Sequence, residues 1–344
     1  MRLYYYRSQL NFGDHLNTWI WERLLPGCFD DPDDGIVMTV IGTLLGRGVP
    51  DGRAVIVFGS GTSYDPPPDD LTGPRWHLMA LRGPLTARFL GVDESRAITD
   101  GAFVLRALPE ATPVAEAERH GVYYVPHQTT ASYADWPEIC RRAGVTYLDV
   151  RDDSSKLLDI LRHAKLVLAE AMHAAIVCDL VRVPWVPMVS MSEINTFKWV
   201  DWLETVNLPY EPVVVPPITQ RARLYDALSP YWGGDHFTAS SQPAEILGRT
   251  AERIANRKNP RWRLRARTMV HSHRRVLDPT VRLGERLGAW RAERERRTDE
   301  AAELIRRAAL QPGYLSDERV MMDRSDALLD RVGEVRKLYR RLAG

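Results

Sequence analysis

The chain has 344 residues, 44% hydrophobic and 26% charged, with a formal net charge of +1. That length exceeds what one hydrophobic core usually spans, so two domains or two plus an extension are expected, and the composition excludes a disordered or fibrous chain. Three cysteines, Cys28, Cys140 and Cys178, occur without close pairing or a CxxC, which excludes a disulfide scaffold or cysteine-bound metal and points to a reducing, cytoplasmic setting.

The opening residues carry no apolar segment of the secretory-signal type, and no run of about 18 apolar residues offers a membrane span. Arg2–Tyr6 is β-prone and leads into Asn11-Phe12-Gly13-Asp14, whose turn-forming residues predict a loop. Leu16, Trp19, Ile20 and Leu24 then recur at helical spacing, up to Pro26-Gly27. Ile36–Ile41 and Ala54–Phe58 read as strands. The second is a continuous apolar, β-branched run of the kind buried on both faces, and it ends at Gly59-Ser60-Gly61-Thr62. Gly83 to Gly91 predicts a compact helix, with Pro84 at its first position and Gly91 past its end. Arg96–Thr99 predicts a strand end that aims Asp100 at a cleft, a capping role being the alternative.

The polar, proline-containing stretch from Pro109 to Arg119 predicts a linker. It separates a Rossmann-like domain over residues 1–110 from a second over 120–243. In the latter, strands are expected at Val122–Val125, Val145–Val150, Leu166–Leu168 and Trp185–Val189, with helices at Ser154–His163 and Met172–Val181. Such alternation predicts an α/β fold: two Rossmann-like domains with parallel, helix-covered sheets facing across a cleft. Ligands would lie beyond the carboxyl ends of the strands.

From Ala244 onward strand signals stop, and stretches such as Ala289–Leu310 and Arg319–Leu342 predict a basic helical extension over 244–344. From Ala251 to the end, 24 Lys and Arg face 14 Asp and Glu, leaving the preceding 250 residues acidic. Trp262-Arg263-Leu264-Arg265-Ala266-Arg267 and His273-Arg274-Arg275 suit a solvated helix face. The alternative is peripheral contact with anionic headgroups, or with the diphosphate of a lipid-linked saccharide, at the inner face of a membrane. No recognisable module accompanies them, so no nucleic-acid partner is expected. The helices of Ala289–Leu342 are expected either to pack back on the domains or to pair two subunits as a homodimer.

Three segments suit chemistry. Gly59-Ser60-Gly61 after a buried strand can turn backbone N–H groups toward an anion, or can be a tight turn. It is neither a GxGxxG fingerprint nor a Walker loop, which disfavours a dehydrogenase or an ATPase. Arg82, just before a helix N-terminus, presents a fork that matches carboxylate or phosphate, a surface salt bridge being the alternative. The segment Leu166–Ile176 delivers Glu170 and His173 to the mouth of a helix among small residues. His173 there suits a proton donor or acceptor, although spacing alone leaves a structural histidine open.

Taken in order, these pieces resemble a known family over about the first 205 residues. They are Tyr5-Tyr6, Asn11-Phe12-Gly13-Asp14-His15-Leu16-Asn17, Phe58-Gly59-Ser60-Gly61, Arg82-Gly83-Pro84-Leu85-Thr86, Asp100-Gly101, Val125-Pro126-His127, Glu170 to Ile176, and Lys198-Trp199-Val200-Asp201-Trp202. The family is the polysaccharide pyruvyl transferases, particularly the exopolysaccharide ketal-forming branch. The resemblance implies a GT-B-like fold and transfer of the enolpyruvyl unit of phosphoenolpyruvate onto a sugar diol of a glycan acceptor, with no metal and no cofactor besides that donor. It implies that Arg82 with Gly59, Ser60 and Gly61 holds the donor's carboxylate and phosphate. His173 would protonate the methylene or receive the phosphate, and Asp14 would accept a sugar proton. Glu170 and His127 are second-line candidates, with Asn11, Asp100 and Lys198 as further ligand contacts. Many members carry Arg-Leu-His where this chain reads Ala171-Met172-His173, so Arg82 or Lys198 is expected to supply the missing charge. Two other readings compete. One is a GT-B-like glycosyltransferase using a nucleotide sugar; the other is a non-catalytic, membrane-associated scaffold working through its basic helices.

Overall fold

The computed structural model describes residues 1–7, 11–46 and 48–343. Its centre is two parallel sheets. The first takes β1 (Arg2–Tyr4), β2 (Ile36–Thr39), β3 (Ala54–Ser60) and β4 (Trp76–Leu81) in sequence order. The second has the order β6-β5-β7-β8-β9, from β5 (His120–Val125), β6 (Thr146–Tyr147), β7 (Ala164–Ala169), β8 (Trp185–Val189) and β9 (Val213–Val214). Every residue of β2, β3 and β8 is buried, as expected for strands covered on both faces. The α/β class and parallel pairing thus follow the apolar runs, while β4 and β9 add edge strands that no such run announces.

Two local expectations are corrected. Asn11-Phe12-Gly13-Asp14 is not a loop: Asn11 caps a short helix, α1 (Phe12–Leu16), and accepts the Asp14 amide at 3.0 Å, the role for which Asn is favoured at such ends. A second short helix, α2 (Ile20–Leu24), follows. Arg96–Thr99 is not a strand; a 3₁₀ turn at Glu94–Arg96 and a single bridge from Ala97 to Leu81 take its place. Asp100 then caps the 3₁₀ segment Gly101–Ala107 by accepting the Ala102 amide. The helix α3 (Pro84–Leu90) forms as read, with Gly91 left-handed at φ 67°. The linker stretch carries short 3₁₀ turns at Pro109–Ala111 and Glu116–Glu118.

The second sheet is flanked by α4 (Trp136–Ala143), α5 (Ser154–Arg162) and α6 (Met172–Leu180), while α7 (Thr196–Leu203) packs on α3 and α8 (Gln220–Leu228) follows β9. One contiguous apolar cluster joins the halves, running from Phe12, Ile56 and Phe58 through Phe103 to Met172, Ile176 and Trp199.

After Gln242 the chain is helical, as the composition predicts: α9 (Pro243–Lys258), α10 (Pro260–Ser272), α11 (Asp278–Arg286), α12 (Arg291–Ala308) and α13 (Glu318–Ala343). Two of these helices pack back on the α/β halves. α12 lies on α4. α13 returns to the first half and buries Met321, Ser325, Leu328, Val332, Val335 and Leu338, which recur every three or four residues along one stripe. Arg106 pairs with Asp326, and Arg336 donates to the Leu24 carbonyl at 2.8 Å. No helix is long and apolar enough to cross a membrane among the described residues.

Candidate active site

β7 ends at Ala169, and the chain there leans onto β5: the amides of Glu170 and Ala171 both donate to the Val125 carbonyl, at 2.9 and 3.2 Å. α6 begins immediately. Its residues are buried except for His173, whose side chain is 13% exposed. A strand C-terminus and a helix mouth therefore deliver the imidazole together, as the sequence pattern suggests.

From the other half, α1 lies against that ring. A β-carbon on Gly13 would fall 2.0 Å from His173 Nδ1, so only glycine permits this approach. Asp14, one residue on, faces the same space and accepts from the Asn11 side-chain amide. Behind the ring, Asp100 Oδ1 lies 3.7 Å from His173 Nε2. Asp100 Oδ2 and His173 Nε2 are both buried without a hydrogen-bond partner. Burial opposes ionisation of Asp100, but the charge and hydrogen-bonding reach of His173 and the nearby Arg82 outweigh it and hold the carboxyl below its usual range.

These groups open onto a cavity of about 410 Å³ whose wall includes Asn11, Asp14, His127, Glu170, His173 and Lys198. Burial pushes the Asp14 carboxyl above its usual range, against the opposing pull of Asn11, His173 and Lys198. His127 is pushed down to about 3, by burial first and then by the Lys198 charge, which keeps it neutral at ordinary pH. Its Nδ1 accepts the Thr129 amide at 3.3 Å, placing the ring proton on Nε2. Lys198 stands over the Tyr64 ring, 5.7 Å from its centroid, and is the only lysine or arginine on the wall among the described residues.

Five expected site residues are placed differently. Arg82 is fully buried and off the cavity wall. It is neither an anion contact nor a surface salt bridge: Nε donates to Asp201 at 2.9 Å and Nη1 to Thr43 Oγ1 at 2.9 Å. Nη2 reaches the Thr62 carbonyl at 3.5 Å, so all three guanidinium nitrogens turn to protein acceptors, as a buried guanidinium requires. Thr43 itself lines the cavity, so Arg82 supports the wall from behind. Gly59, Ser60 and Gly61 form no free anion nest. Ser60 Oγ donates to the Val40 carbonyl and the Gly61 amide to the Gly42 carbonyl, and a β-carbon on Gly61 would strike Arg82 Cζ at 2.2 Å. Glu170 reaches the wall, but four donors saturate its carboxylate: the His127 amide, Thr130 Oγ1, and the amide and hydroxyl of Ser190. It ties the ends of β5 and β8 together. Of the two expected substitutes for the missing arginine, Lys198 is the one on the wall.

Sequence reading passed over Asp201 as a separate residue. It accepts from Arg82, from the Thr86 amide at 2.8 Å and from Thr86 Oγ1 at 2.6 Å. A β-carbon on Gly83 would fall 1.7 Å from the Asp201 carbonyl oxygen. The segments Arg82–Thr86 and Lys198–Trp202 are therefore two faces of one joint. The available signal was their co-occurrence, with Lys198 and Asp201 three residues apart on α7. Also missed was Asn195, which lines the cavity and donates to Ser63 Oγ at 3.0 Å.

The chain is similar to the succinoglycan biosynthesis protein ExoV of Rhizobium meliloti (strain 1021), with 36% identity over 247 residues, covering 71% of this chain and 77% of that protein. No family model matches the sequence, and no solved structure matches it.

Proposed function

We propose, for a chain that belongs to the family of the succinoglycan biosynthesis protein ExoV, the reaction of a polysaccharide pyruvyl transferase. The donor is phosphoenolpyruvate, the acceptor is a sugar diol of an exopolysaccharide precursor, and the products are a cyclic pyruvate ketal and inorganic phosphate. The observation that carries this reading is the convergence of Asp14 from one half and His173 and Lys198 from the other on one cavity, with Asp100 behind the imidazole. We read the two halves as a GT-B-like pair whose cleft is this cavity.

The chemistry asks for one acid, one base and a cation. His173, with Asp100 behind the ring, gives a proton to the methylene carbon, which becomes the methyl group. The central carbon gains oxocarbenium character and a sugar hydroxyl adds to it, its proton passing to Asp14. A carboxylate whose pKa burial has raised is a better base than a solvated one. The second hydroxyl then closes the ring as phosphate departs with the remaining proton. Lys198 offsets donor charge throughout, while neutral His127 offers Nε2–H to an oxygen of donor or acceptor.

Ligand-dependent melting tests the donor directly. Phosphoenolpyruvate at about 100 times its dissociation constant should add roughly 2.7 kcal/mol of apparent stability, whereas UDP and GDP should add none. The opposite ranking would mark a nucleotide-sugar glycosyltransferase.

Two variants probe the acid. Gly13→Ala must push the ring aside, and a misplacement near 1 Å costs on the order of 10²-fold. Phosphate release should fall by about that factor, and the melting midpoint should drop by a few degrees, since overpacking a buried contact costs about 1–3 kcal/mol. Asp100→Asn keeps the shape of the side chain but removes the carboxylate charge 3.7 Å behind the imidazole. Phosphate release should fall in this variant; unchanged release would show that Asp100 does not act on the acid.

A further inference from the structure

From Pro260 to Arg286 the chain runs as one helix about 40 Å long, interrupted by a single π-turn at His273–Leu277. Pro279, which cannot donate a backbone hydrogen bond, sits just beyond that turn and accounts for the disturbed ladder. The inward face is fixed: Ala266, His273 and Asp278 are buried. His273 packs on Trp232 with ring centroids 5.4 Å apart, and Asp278 pairs with Arg221 at 2.5 Å.

The outward face is unlike the rest of the surface. Eight arginines between Arg261 and Arg286 are all exposed, while the helix's two carboxylates, Asp278 and Glu285, are turned in as buried and half-buried. Leu264, Val276 and Leu283 stand out between them. The helix ends in a turn, Leu287-Gly288-Ala289-Trp290, with Leu287 78% exposed and Trp290 44% exposed. Trp290 adopts a left-handed φ of 60°, rare for a bulky side chain, and its ring covers Gly284. Of the nine exposed large apolar side chains among the described residues, five lie between Leu264 and Trp290. Guanidinium groups interleaved with exposed leucines and a tryptophan at the tip match an acidic headgroup layer over acyl chains.

We propose that this helix and its tip dock the protein on an anionic phospholipid surface. Arginines engage the headgroup phosphates, while Leu283, Leu287 and Trp290 enter the apolar boundary below. The helix is rooted beside the catalytic cavity: from α9, Arg253 donates to the Ser63 carbonyl at 3.1 Å and Arg257 to the Tyr64 carbonyl at 2.8 Å, and both acceptor residues line that cavity. Docking therefore holds the cavity at a fixed attitude to the lipid plane.

Co-sedimentation of the full chain with mixed phosphatidylglycerol–phosphatidylcholine vesicles tests this without reference to turnover. The wild-type chain should pellet with the mixed vesicles and not with pure phosphatidylcholine, and binding should drop roughly tenfold as salt screens the headgroups. Two variants, each checked for an unchanged melting curve, separate the contributions. Leu283→Asp with Leu287→Asp should abolish pelleting. Arg267→Gln with Arg274→Gln and Arg275→Gln should weaken it and flatten its salt dependence. The proposal is overturned if the wild-type chain ignores both vesicle types or if the variants pellet as wild type does. It is equally overturned if the chain is a dimer in solution that the paired leucine substitutions dissociate, since the face would then belong to a second copy.

Discussion

His173→Gln is expected to lower phosphate release from phosphoenolpyruvate by about 10²–10⁴-fold, the range that a positioned acid contributes. Glutamine keeps much of the volume and a hydrogen-bonding end but delivers no proton near neutral pH. The fold should tolerate the change, because the imidazole Nε2 makes no hydrogen bond that its loss would orphan. Its charge partner will notice. Asp100 is held below its usual range, so its contribution to stability is present above the ordinary carboxylate value of about 3.9 and is lost as pH falls through the lower folded value. With glutamine opposite, that depression shrinks and the variant should unfold at a higher pH on acid titration. Phosphate release, donor-induced melting shifts and acid unfolding together distinguish a catalytic histidine from a structural one. Near-normal turnover in the variant would remove His173 from the mechanism.

Asp201→Ala is expected to be the most destabilising single change in the core of the joint. It leaves Arg82, fully buried, without its carboxylate, and breaking a buried pair from one side costs about 3–5 kcal/mol. Two Thr86 donors are orphaned at the same time. A fall in melting midpoint of roughly 6 °C or more should follow. The double variant Arg82→Met with Asp201→Ala should recover part of that loss, because no unpaired charge remains; the non-additivity measures the pair. A single variant that melted with the wild type would mean the ion pair does not hold the two segments together.

Much of the fold was legible because it is local. β3 and β8 announce themselves by unbroken apolar runs, α3 by Pro84 and Gly91 at its ends, and the C-terminal helices by composition. β4 was not legible: its sequence, Trp-His-Leu-Met-Ala-Leu, neither alternates nor runs β-branched, and its pairing with β3 decides it. Asn11 to Asp14 contains residues that favour turns and helix caps alike, and the choice between them rests on what α1 packs against.

For the site, the sequence by itself determined that His173 and His127 follow strand ends, whereas Asp14 read as part of a loop and Lys198 entered only through the family resemblance. Their arrival on one cavity needed the tertiary structure, which brings Gly13 of α1 against the His173 ring of α6. Arg82 marks the boundary most clearly. Its position before a helix is a sequence property that suits an anion contact equally well. Its actual partner, Asp201, lies 119 residues away, and a guanidinium removed from water must find a carboxylate wherever the fold supplies one. That requirement turns an expected ligand contact into a buried strut, and it leaves Lys198 as the cation on the wall of the cavity that His173 also lines.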